Sequence, residues 1–390
     1  MTRPFRPAVV AGLFVLALLA AGCGTASLRP AGRQAPAPPG LSLATTVTTA
    51  GGTWAVVVAG GAAARHNNFW QLLVRPVTGG TWRLATPPGV ASNGGLVAAP
   101  SGPAALTAAF RPSQSLAFTP LATSADLGRR WSAGVLNADL ARVPAALAAD
   151  PVTGHMLALL ATGTVEQSSN RGATWTRLTT ERAISRTGPG RACGLHSLTA
   201  VAFTAAGLPL LAGTCARPGT VPVFAFSGHS WHPAGPVPPA AAASEPVAVL
   251  TMTTTAGRTF ALLRAGTGPA SAVTAAWCAP PGPLTGTWVL SPALALRGGN
   301  PRSVSAAGDG ATAIVLSGRT GLVEPRPGAA WQPLAALPAR TQSLAIGPGT
   351  AIQAIAPAGS VIAIWSAPSP GGPWTAAQHL AVPIQYGTSG

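Results

Sequence analysis

Side chains that can perform acid–base or nucleophilic chemistry are scarce in this chain. Its 390 residues include 8 Asp and Glu, 6 His, 4 Cys and one Tyr. Most glycoside hydrolases act through paired carboxylates, and an exceptional group uses a Tyr nucleophile. Tyr386 lies next to the C-terminus, and no segment combines an acid with Tyr and Arg. The sequence therefore predicts no catalytic residue. The acids other than Asp126 are Asp139, Asp150, Glu166, Glu181, Glu245, Asp309 and Glu324.

Metal and nucleotide sites are equally unsupported by the sequence. His229 and His232 share one turn without Asp, Glu or Cys at ligand spacing, and the other four His are isolated. The chain has no Lys, so a phosphate loop ending in Gly-Lys-Ser/Thr is impossible, and no Gly-x-Ser-x-Gly segment occurs. We therefore expect neither metal nor cofactor. The isolated histidines are His66, His155, His196 and His379.

Two of the four cysteines are predicted to form a disulfide. Cys193 and Cys215 bracket two predicted strands, 198–203 and 208–212, which are joined near residue 206. In an antiparallel hairpin, the residue numbers of each facing pair add up to the same total, the index sum, which is about 411 for this one. The numbers of the two cysteines add up to nearly that total, so they should lie almost opposite each other. Cys278 lies in an apolar strand-like run and is expected to be a buried thiol.

An eight-residue pattern, Ser-x-Asp/Asn-x-Gly-x-x-Trp, occurs twice. The copies contain Ser124, Asp126, Gly128 and Trp131, and then Ser168, Asn170, Gly172 and Trp175. The Asp or Asn side chain is expected to accept backbone N–H groups inside a turn, while Gly tolerates positive φ. Trp then begins an outer strand and buries its indole between sheets. These residues are predicted to be structural.

Both copies resemble the Asp-box of the bacterial neuraminidase repeat, which is found in sialidases, sortilin-type receptors and photosystem assembly-factor-like propellers. The resemblance implies a β-propeller fold and only weakly implies activity. The sialidase site needs three Arg, a Tyr nucleophile with a Glu beside it, and an Asp acid. Phe110-Arg111-Pro112 resembles the Phe-Arg-Ile-Pro segment of that family, but it lies in the second unit and lacks the Ile.

Tryptophans that follow Gly-containing turns recur along the chain. Their separations are 49, 44, 56, 57, 43 and 43 residues, close to the period of a four-stranded propeller blade. Five of these turns keep Gly and Trp without the acid. The spacing predicts an all-β single propeller over residues 41–390, with seven blades, or six or eight as alternatives. The seven tryptophans are Trp82, Trp131, Trp175, Trp231, Trp288, Trp331 and Trp374.

Short apolar runs between these turn tryptophans predict the strands. In the first unit they span 41–48, 53–59, 69–75 and 81–85, and in the third unit 145–149, 155–161, 163–167 and 174–179. No apolar stripe of helical period is longer than about ten residues, so helices are expected to be minor. Residues 381–386 are expected either to add an edge strand or to hang free.

The N-terminus has the features of an export signal. Arg3 and Arg6 precede an apolar run, 8–21, which is too short to span a bilayer. The segment that ends in Cys23 resembles a bacterial lipobox, with Ala20 where Leu is usual. The sequence thus predicts a signal peptide over 1–22, a lipidated Cys23, and a Pro/Ala/Gly-rich tether over 23–40. Ordinary secretion is the alternative.

The formal charge of +16 favours anionic partners such as envelope polymers and lipid headgroups. No basic helix occurs, so nucleic acid is not an expected partner. We expect a monomeric, exported lipoprotein on the outer face of the cytoplasmic membrane, whose propeller is a binding or assembly scaffold for an envelope protein or glycan. A sialidase-type glycoside hydrolase is the alternative. Arg and acid side chains in the central channel would favour the enzyme, and Ala, Thr and Ser would favour binding.

Overall fold

The computed structural model describes residues 44–60, 68–87, 95–111, 116, 118–137, 143–239, 242–280, 282–284, 286–317, 320–346 and 351–383. The predicted signal peptide, Cys23 and the tether lie outside these ranges, as do His66, Asp139 and Tyr386. Across the described ranges, no helix is long and apolar enough to cross a membrane.

Consecutive strands pair antiparallel in groups of four, which we call units 1 to 7. Each unit begins with an inner strand and ends with an outer strand. Unit 1 contains β1 Ala44–Thr48, β2 Gly52–Gly60, β3 Asn68–Pro76 and β4 Arg83–Leu84. Unit 2 contains β5 Leu96–Pro100, β6 Leu106–Phe110, β7 Thr119–Ser124 and β8 Ser132–Leu136. Unit 3 contains β9 Ala146–Ala149, β10 Met156–Leu159, β11 Thr164–Ser168 and β12 Thr176–Thr180.

The other four units repeat this plan, and the outer strand of unit 5 is in two pieces. Unit 4 contains β13 Leu195–Phe203, β14 Pro209–Cys215, β15 Val223–Ser227 and β16 Ser230–Pro233. Unit 5 contains β17 Val247–Thr255, β18 Arg258–Ala265, β19 Ala272–Cys278, β20 Trp288–Leu290 and β21 Leu294–Ala295. Unit 6 contains β22 Pro301–Ala306, β23 Thr312–Leu316, β24 Thr320–Glu324 and β25 Gln332–Pro333. Unit 7 contains β26 Ser343–Ile346, β27 Ile352–Ala358, β28 Val361–Ala367 and β29 Thr375–Ala381.

The all-β prediction is confirmed, because strands dominate. Three sheets are four-stranded, while the pairing of β1 with β22 and of β14 with β17 joins units 1 and 6 and units 4 and 5 into larger sheets. In unit 3 the observed strands begin and end within two residues of the predicted ones. Gly154 and Gly163, with φ of 74° and 76°, close its first two hairpins where a side chain would be strained. Residues 375–381 form the outer strand of unit 7, while 384–386 lie outside the described part of the chain.

Apolar clusters join each unit to the next. Seven clusters of buried side chains lie between consecutive units, and one of them joins unit 7 back to unit 1. In that closing cluster, Trp82 and Val57 of unit 1 pack with Ile355 and Ile364 of unit 7. The units therefore form a closed ring whose core is divided among the unit interfaces.

Hydrogen bonds from three glutamines of unit 7 reinforce the closure. Gln342 accepts from the Val58 N–H at 3.0 Å and donates to the Val58 carbonyl at 2.8 Å. Gln378 makes the same pair of bonds with the backbone of Trp82, and Gln353 accepts the Trp82 indole N–H at 2.8 Å. Neutral amides thus add hydrogen bonds to the apolar closing cluster.

The inner strands all run in the same direction. β1 pairs in parallel with β22 of unit 6, with Ala44 opposite Val304 and Val47 opposite Ala306. The Thr46 hydroxyl also donates to the Leu344 carbonyl of β26 at 3.0 Å. The first and sixth units therefore meet directly at the centre of the ring, where adjacent inner strands are otherwise drawn from consecutive units.

Two short helices, which we call the helical insertion, separate units 3 and 4. Helix α1, Glu181–Ser185, is capped by the Thr180 hydroxyl, and α2, Gly188–Cys193, is capped by that of Thr187. Cys193 forms a disulfide with Cys215, with Cα atoms 5.2 Å apart. Cys193 was expected beside the β13–β14 hairpin but lies at the end of α2, because Gly194 adopts φ 66° and ends the helix before the strand.

Candidate functional site

The two Ser-x-Asx-x-Gly turns, in units 2 and 3, share one hydrogen-bond pattern. The Ser124 hydroxyl accepts from Gly128 N–H at 2.7 Å and donates to Asp126 Oδ1 at 3.0 Å. The Asp126 carboxylate in turn accepts the N–H groups of Arg129 and Arg130. The Arg130 N–H, with smaller contributions from the Ser124 hydroxyl and the Arg129 N–H, lowers the pKa of Asp126 despite partial desolvation.

The second turn is built in the same way. Ser168 accepts from Gly172 N–H at 2.8 Å, and Asn170 Oδ1 accepts from Thr174 N–H at 2.8 Å. The Ser hydroxyl therefore holds the turn by accepting a backbone N–H, as the Asx side chain does. The sequence pattern does not indicate this role of Ser. Gly128 and Gly172 have φ of 78° and 85°, in the left-handed region favoured by Gly.

Gly128→Ala is expected to lower the free energy of unfolding by about 2 kcal/mol. Besides the positive φ, an added Cβ would lie 2.8 Å from the Ala85 Cβ and 3.3 Å from the Trp54 ring. Gly79→Ala is the control, because Gly79 has φ 92° but no atom within 4 Å of the added Cβ. Urea unfolding should show the larger loss for Gly128→Ala. Equal losses of stability in Gly128→Ala and Gly79→Ala would mean that the positive φ, and not the contact with Ala85 and Trp54, causes the destabilisation.

The tryptophans that follow the turns contact the preceding unit. The indole N–H of Trp288 donates to the Ala234 carbonyl of unit 4 at 3.0 Å, and that of Trp331 to Pro292 of unit 5. Trp374 donates to Ala335, after the outer strand of unit 6, at 3.3 Å. Trp131 instead packs edge-on against Trp54 of unit 1, with ring centroids 6.3 Å apart.

Trp82 lies in the closing cluster described above, and the last two of the seven also make apolar contacts. Trp175 packs between units 2 and 3, and its indole N–H donates to the Gly172 carbonyl of its own turn at 3.1 Å. Trp231 packs between units 3 and 4 and contacts Phe226, with ring centroids 5.0 Å apart. The seven turn tryptophans therefore lie at unit interfaces and not in a solvent-filled site.

Glu324 occupies the Ser position in the corresponding turn of unit 6. Its Oε1 accepts the Gly328 N–H at 2.8 Å, four residues on, as Ser124 and Ser168 do for their glycines. The side chain is fully buried, and Oε2 makes no hydrogen bond of normal geometry. Burial raises the pKa of Glu324 to about 7, which the Gly328 N–H and the Thr312 hydroxyl offset only in part. Sequence inspection missed this residue because Glu is not part of the repeated pattern.

A wide mouth opens where the inner strands end. Its volume is about 470 Å³, and its described wall comes from the turns that link the inner strand to the second strand in units 1 to 6, together with Val77 from the β3–β4 turn. Pro, Ala, Val, Gly and Thr dominate the wall, and Phe203 is its one aromatic residue among those described. On the rim, Val152 and Val77 are 84% and 44% exposed. The described lining is residues 48–50, 77, 100, 102–103, 149–152, 203–205, 254–257 and 307–309.

Two carboxylates lie in this mouth. Asp150 is buried, and its oxygens accept the Val152 N–H at 3.0 Å and the Thr153 hydroxyl, so it is used to hold its own turn. Asp309 is exposed and accepts only the Ala311 N–H at 3.1 Å among the bonds seen here. None of the described lining residues is Arg. The mouth wall is therefore mainly apolar, and a nearby guanidinium is that of Arg258, one nitrogen of which lies 3.3 Å from the place a Cβ would occupy at Gly310.

A narrower channel continues from the mouth toward the beginnings of the inner strands. It has a volume of about 270 Å³ and is lined by Ala, Thr, Val and Leu with a few other apolar residues. Its described lining contains neither Arg nor a carboxylate. Arg111 lies at the end of β6, on the side of the ring opposite the mouth, beside the buried Phe110. The channel lining is residues 46–48, 97–100, 145–149, 199–203, 250–255 and 306.

Metal-ligating residues do not converge in the described ranges. Within them, no three His, Cys, Asp or Glu side chains are grouped so that they could hold an ion. His232 lies in an exposed hairpin near Ser230 Oγ and the Ser227 carbonyl. Cys278 is a buried free thiol, and burial raises its pKa.

No protein-family model matches this chain, and no curated protein matches it significantly. Several solved structures are similar. A GH74 xyloglucanase from Xanthomonas campestris is 16% identical, with a TM-score of 0.52, over 86% of this chain and 53% of that chain. A protein from Lactobacillus plantarum is 11% identical, also with a TM-score of 0.52, over 84% of this chain and 96% of that chain. YCF48 bound to D1 peptide is 15% identical, with a TM-score of 0.44, over 83% of this chain and 95% of that chain.

At these identities the similarity establishes the fold alone. The xyloglucanase is a β-propeller protein, and this chain consists mostly of strands, with many of them in four-stranded sheets. The chain therefore has a β-propeller fold.

Proposed function

We propose that this protein is a binding propeller whose mouth takes an apolar, extended protein segment that carries a basic group. The observation that carries the proposal is the mouth itself, a preformed apolar cavity rimmed by exposed Val152 and Val77. Preformed apolar cavities with a few polar groups are the usual form of ligand sites. A wall with one aromatic residue offers little for stacking on sugar rings, so a protein segment is favoured over a glycan.

The basic group is proposed because of Asp309. Its carboxylate is exposed at the mouth and is not enclosed by its turn, in contrast to Asp150. A Lys, Arg or N-terminal amine of the ligand would find no competing Arg among the described lining residues. Opposite charges at such a rim contribute mainly to specificity and association rate.

A selection from a displayed peptide library tests this function. Peptides rich in apolar residues with one basic residue should be enriched, and Ala205→Trp should weaken their binding at least tenfold, because Ala205 is exposed on the mouth wall. Ala173→Trp is the matched control, an exposed alanine of the unit 3 turn that is outside the described mouth lining. Equal binding by both variants would contradict a site in the mouth.

Asp309→Asn is expected to weaken the same peptides by roughly threefold at low salt, with a smaller effect at 0.5 M salt, as for a partly exposed ion pair. Fluorescence anisotropy measures the dissociation constants of wild type and Asp309→Asn at the low and the high salt concentration. When the basic residue of the peptide is replaced by Gln, wild type and Asp309→Asn should bind that peptide with equal affinity. If wild type still binds the Gln peptide more tightly than Asp309→Asn does, the basic group is not the partner of Asp309.

A sialidase-type glycoside hydrolase that acts on envelope or host glycans is the alternative. It would need Arg and acid side chains around the channel, and the described channel lining consists of apolar residues and Thr. No specific observation favours this alternative. Release of sialic acid or other sugars from a substrate panel would establish it against the binding proposal.

We also propose that the seven units are the blades of one seven-bladed propeller and that the Ser-x-Asx-x-Gly turns are Asp-boxes. The support is the seven interface clusters and the shared hydrogen-bond pattern of the turns. For export and anchoring, the proposal is a signal peptide over 1–22 and a lipid on Cys23, supported by the sequence alone. Labelling with a radioactive or clickable fatty acid, lost on Cys23→Ser, tests the anchor.

A further inference from the structure

The helical insertion carries a concentration of exposed basic side chains. Arg182, Arg186 and Arg191 are exposed within it, and Arg217 is exposed just after its disulfide partner Cys215. The one acid of the insertion, Glu181, is half-buried and accepts the Leu198 N–H at 3.4 Å. Four guanidinium groups are thus presented to solvent by a small element.

The disulfide and the packing hold these groups on one platform. The Arg217 N–H donates to the Cys193 carbonyl at 2.9 Å. The Arg217 side chain lies over Gly194, with its Cγ 3.4 Å from the place a Cβ would occupy there. Ile184 anchors α1 in the core between units 3 and 4. The platform is therefore fixed to the ring rather than free to swing.

The platform lies at the end of the ring opposite the mouth. The insertion leads directly into the beginning of β13, whereas the mouth surrounds the ends of the inner strands. β1 begins at Ala44 at that same opposite end. The mouth end carries charges of both signs, since four acids lie in or next to its turns alongside exposed Arg such as Arg129 and Arg171. The acids are Asp126, Asp150, Asp309 and Glu324.

We propose that the helical insertion is a docking surface for anionic lipid headgroups, which turns the mouth away from the bilayer. Arginine pairs with phosphate oxygens through two parallel N–H bonds, so several Arg on one rigid platform fit a charged lipid surface. The choice of a membrane over a soluble polymer rests on the lipid proposed on Cys23. This inference does not rest on the proposed ligand of the mouth.

The test is flotation of the full chain with vesicles, carrying Cys23→Ser so that acylation does not contribute. Vesicles of phosphatidylcholine alone are compared with vesicles containing 30% phosphatidylglycerol. The insertion variant changes Arg182, Arg186, Arg191 and Arg217 to Gln. The matched control changes four exposed Arg at the mouth end, Arg129, Arg130, Arg171 and Arg326, to Gln and so removes the same charge.

The unchanged platform should bind phosphatidylglycerol vesicles at least tenfold more tightly than neutral ones, since each basic residue near an anionic surface adds roughly fivefold. The insertion variant should lose most of this preference, and the control variant should keep it. Any contribution of the N-terminal run is common to all variants. If the insertion variant and the control variant lose the same amount of phosphatidylglycerol binding, net charge alone explains the binding and the proposal is overturned. Loss of the preference in 10 mM inorganic phosphate at constant ionic strength would indicate a free-phosphate site and would also overturn it.

Discussion

Replacing Trp82 with Ala is expected to lower the free energy of unfolding by about 3–5 kcal/mol, the range for truncating a buried aromatic residue. Trp82 is 1% exposed and fills the cluster between units 1 and 7. Its loss also leaves Gln353, which is 7% exposed, without the indole N–H that it accepts at 2.8 Å. An unpaired buried amide adds to the cost of the cavity. Urea unfolding followed by Trp fluorescence measures the loss.

Two variants separate the contributions at this interface. Trp82→Phe should retain most of the packing but lose the bond to Gln353, so we expect an intermediate loss. Trp374→Ala is the comparison at a half-buried tryptophan whose indole N–H also reaches the neighbouring unit, at 3.3 Å. Its loss should be clearly smaller. Equal losses for Trp82 and Trp374 would mean that the closing interface is no more important than the others.

Glu324→Gln is expected to make the protein more stable above pH 7 and to remove part of its pH dependence. The folded pKa of Glu324 is about 7, above the ordinary value of 4.5, so the folded state holds a proton that the unfolded state releases. Stability from this group is therefore present below about pH 4.5 and is lost as pH rises to 7. The loss is up to about 3 kcal/mol. Gln stays neutral and can still accept the Gly328 N–H.

Urea unfolding of wild type and Glu324→Gln from pH 4.5 to 8.5 measures this difference. The two curves should converge at the acidic end and separate as pH approaches 7. Glu245→Gln, at an exposed Glu outside the Ser-x-Asx-x-Gly and related turns, is the matched control and should follow wild type. A constant offset between wild type and Glu324→Gln at every pH would contradict this prediction, because it would show that the pKa of Glu324 is the same in the folded and unfolded states.

The repeat was visible in the sequence because its physical causes are local. A turn needs Gly at positive φ, as at Gly128 and Gly172, and the next strand needs a large apolar side chain at the unit interface. Strand positions followed from short apolar runs between turns. For the β13–β14 hairpin the predicted index sum was 411, and Val201 pairs with Leu211 at a sum one higher. Two bulges shift the register before Cys215 is reached, and bulges leave no clear sequence signal.

The features that were not predicted depend on distant residues or on burial. The pairing of β1 with β22 links Ala44 to Val304, and no local pattern encodes such a contact. Glu324 resembles any surface Glu until its burial is seen. The mouth is made of Pro, Ala, Thr and Val in turns, which individually indicate no chemistry. The helical insertion had local signals in Thr180 and Thr187, but helices of five and six residues are too short to show a period.

The pairing of β1 with β22 also has a consequence for biosynthesis. β1 is the first of the described strands to leave the ribosome, and its partner follows roughly 260 residues later, which at typical elongation rates is about 15–50 s. During this time the edge of β1 that will meet β22 is a free template for pairing with other chains. We infer that the growing polypeptide is most prone to aggregation before its sixth unit is made, and that a chaperone acting on the emerging N-terminal units would raise the yield of folded protein more than one acting on the last.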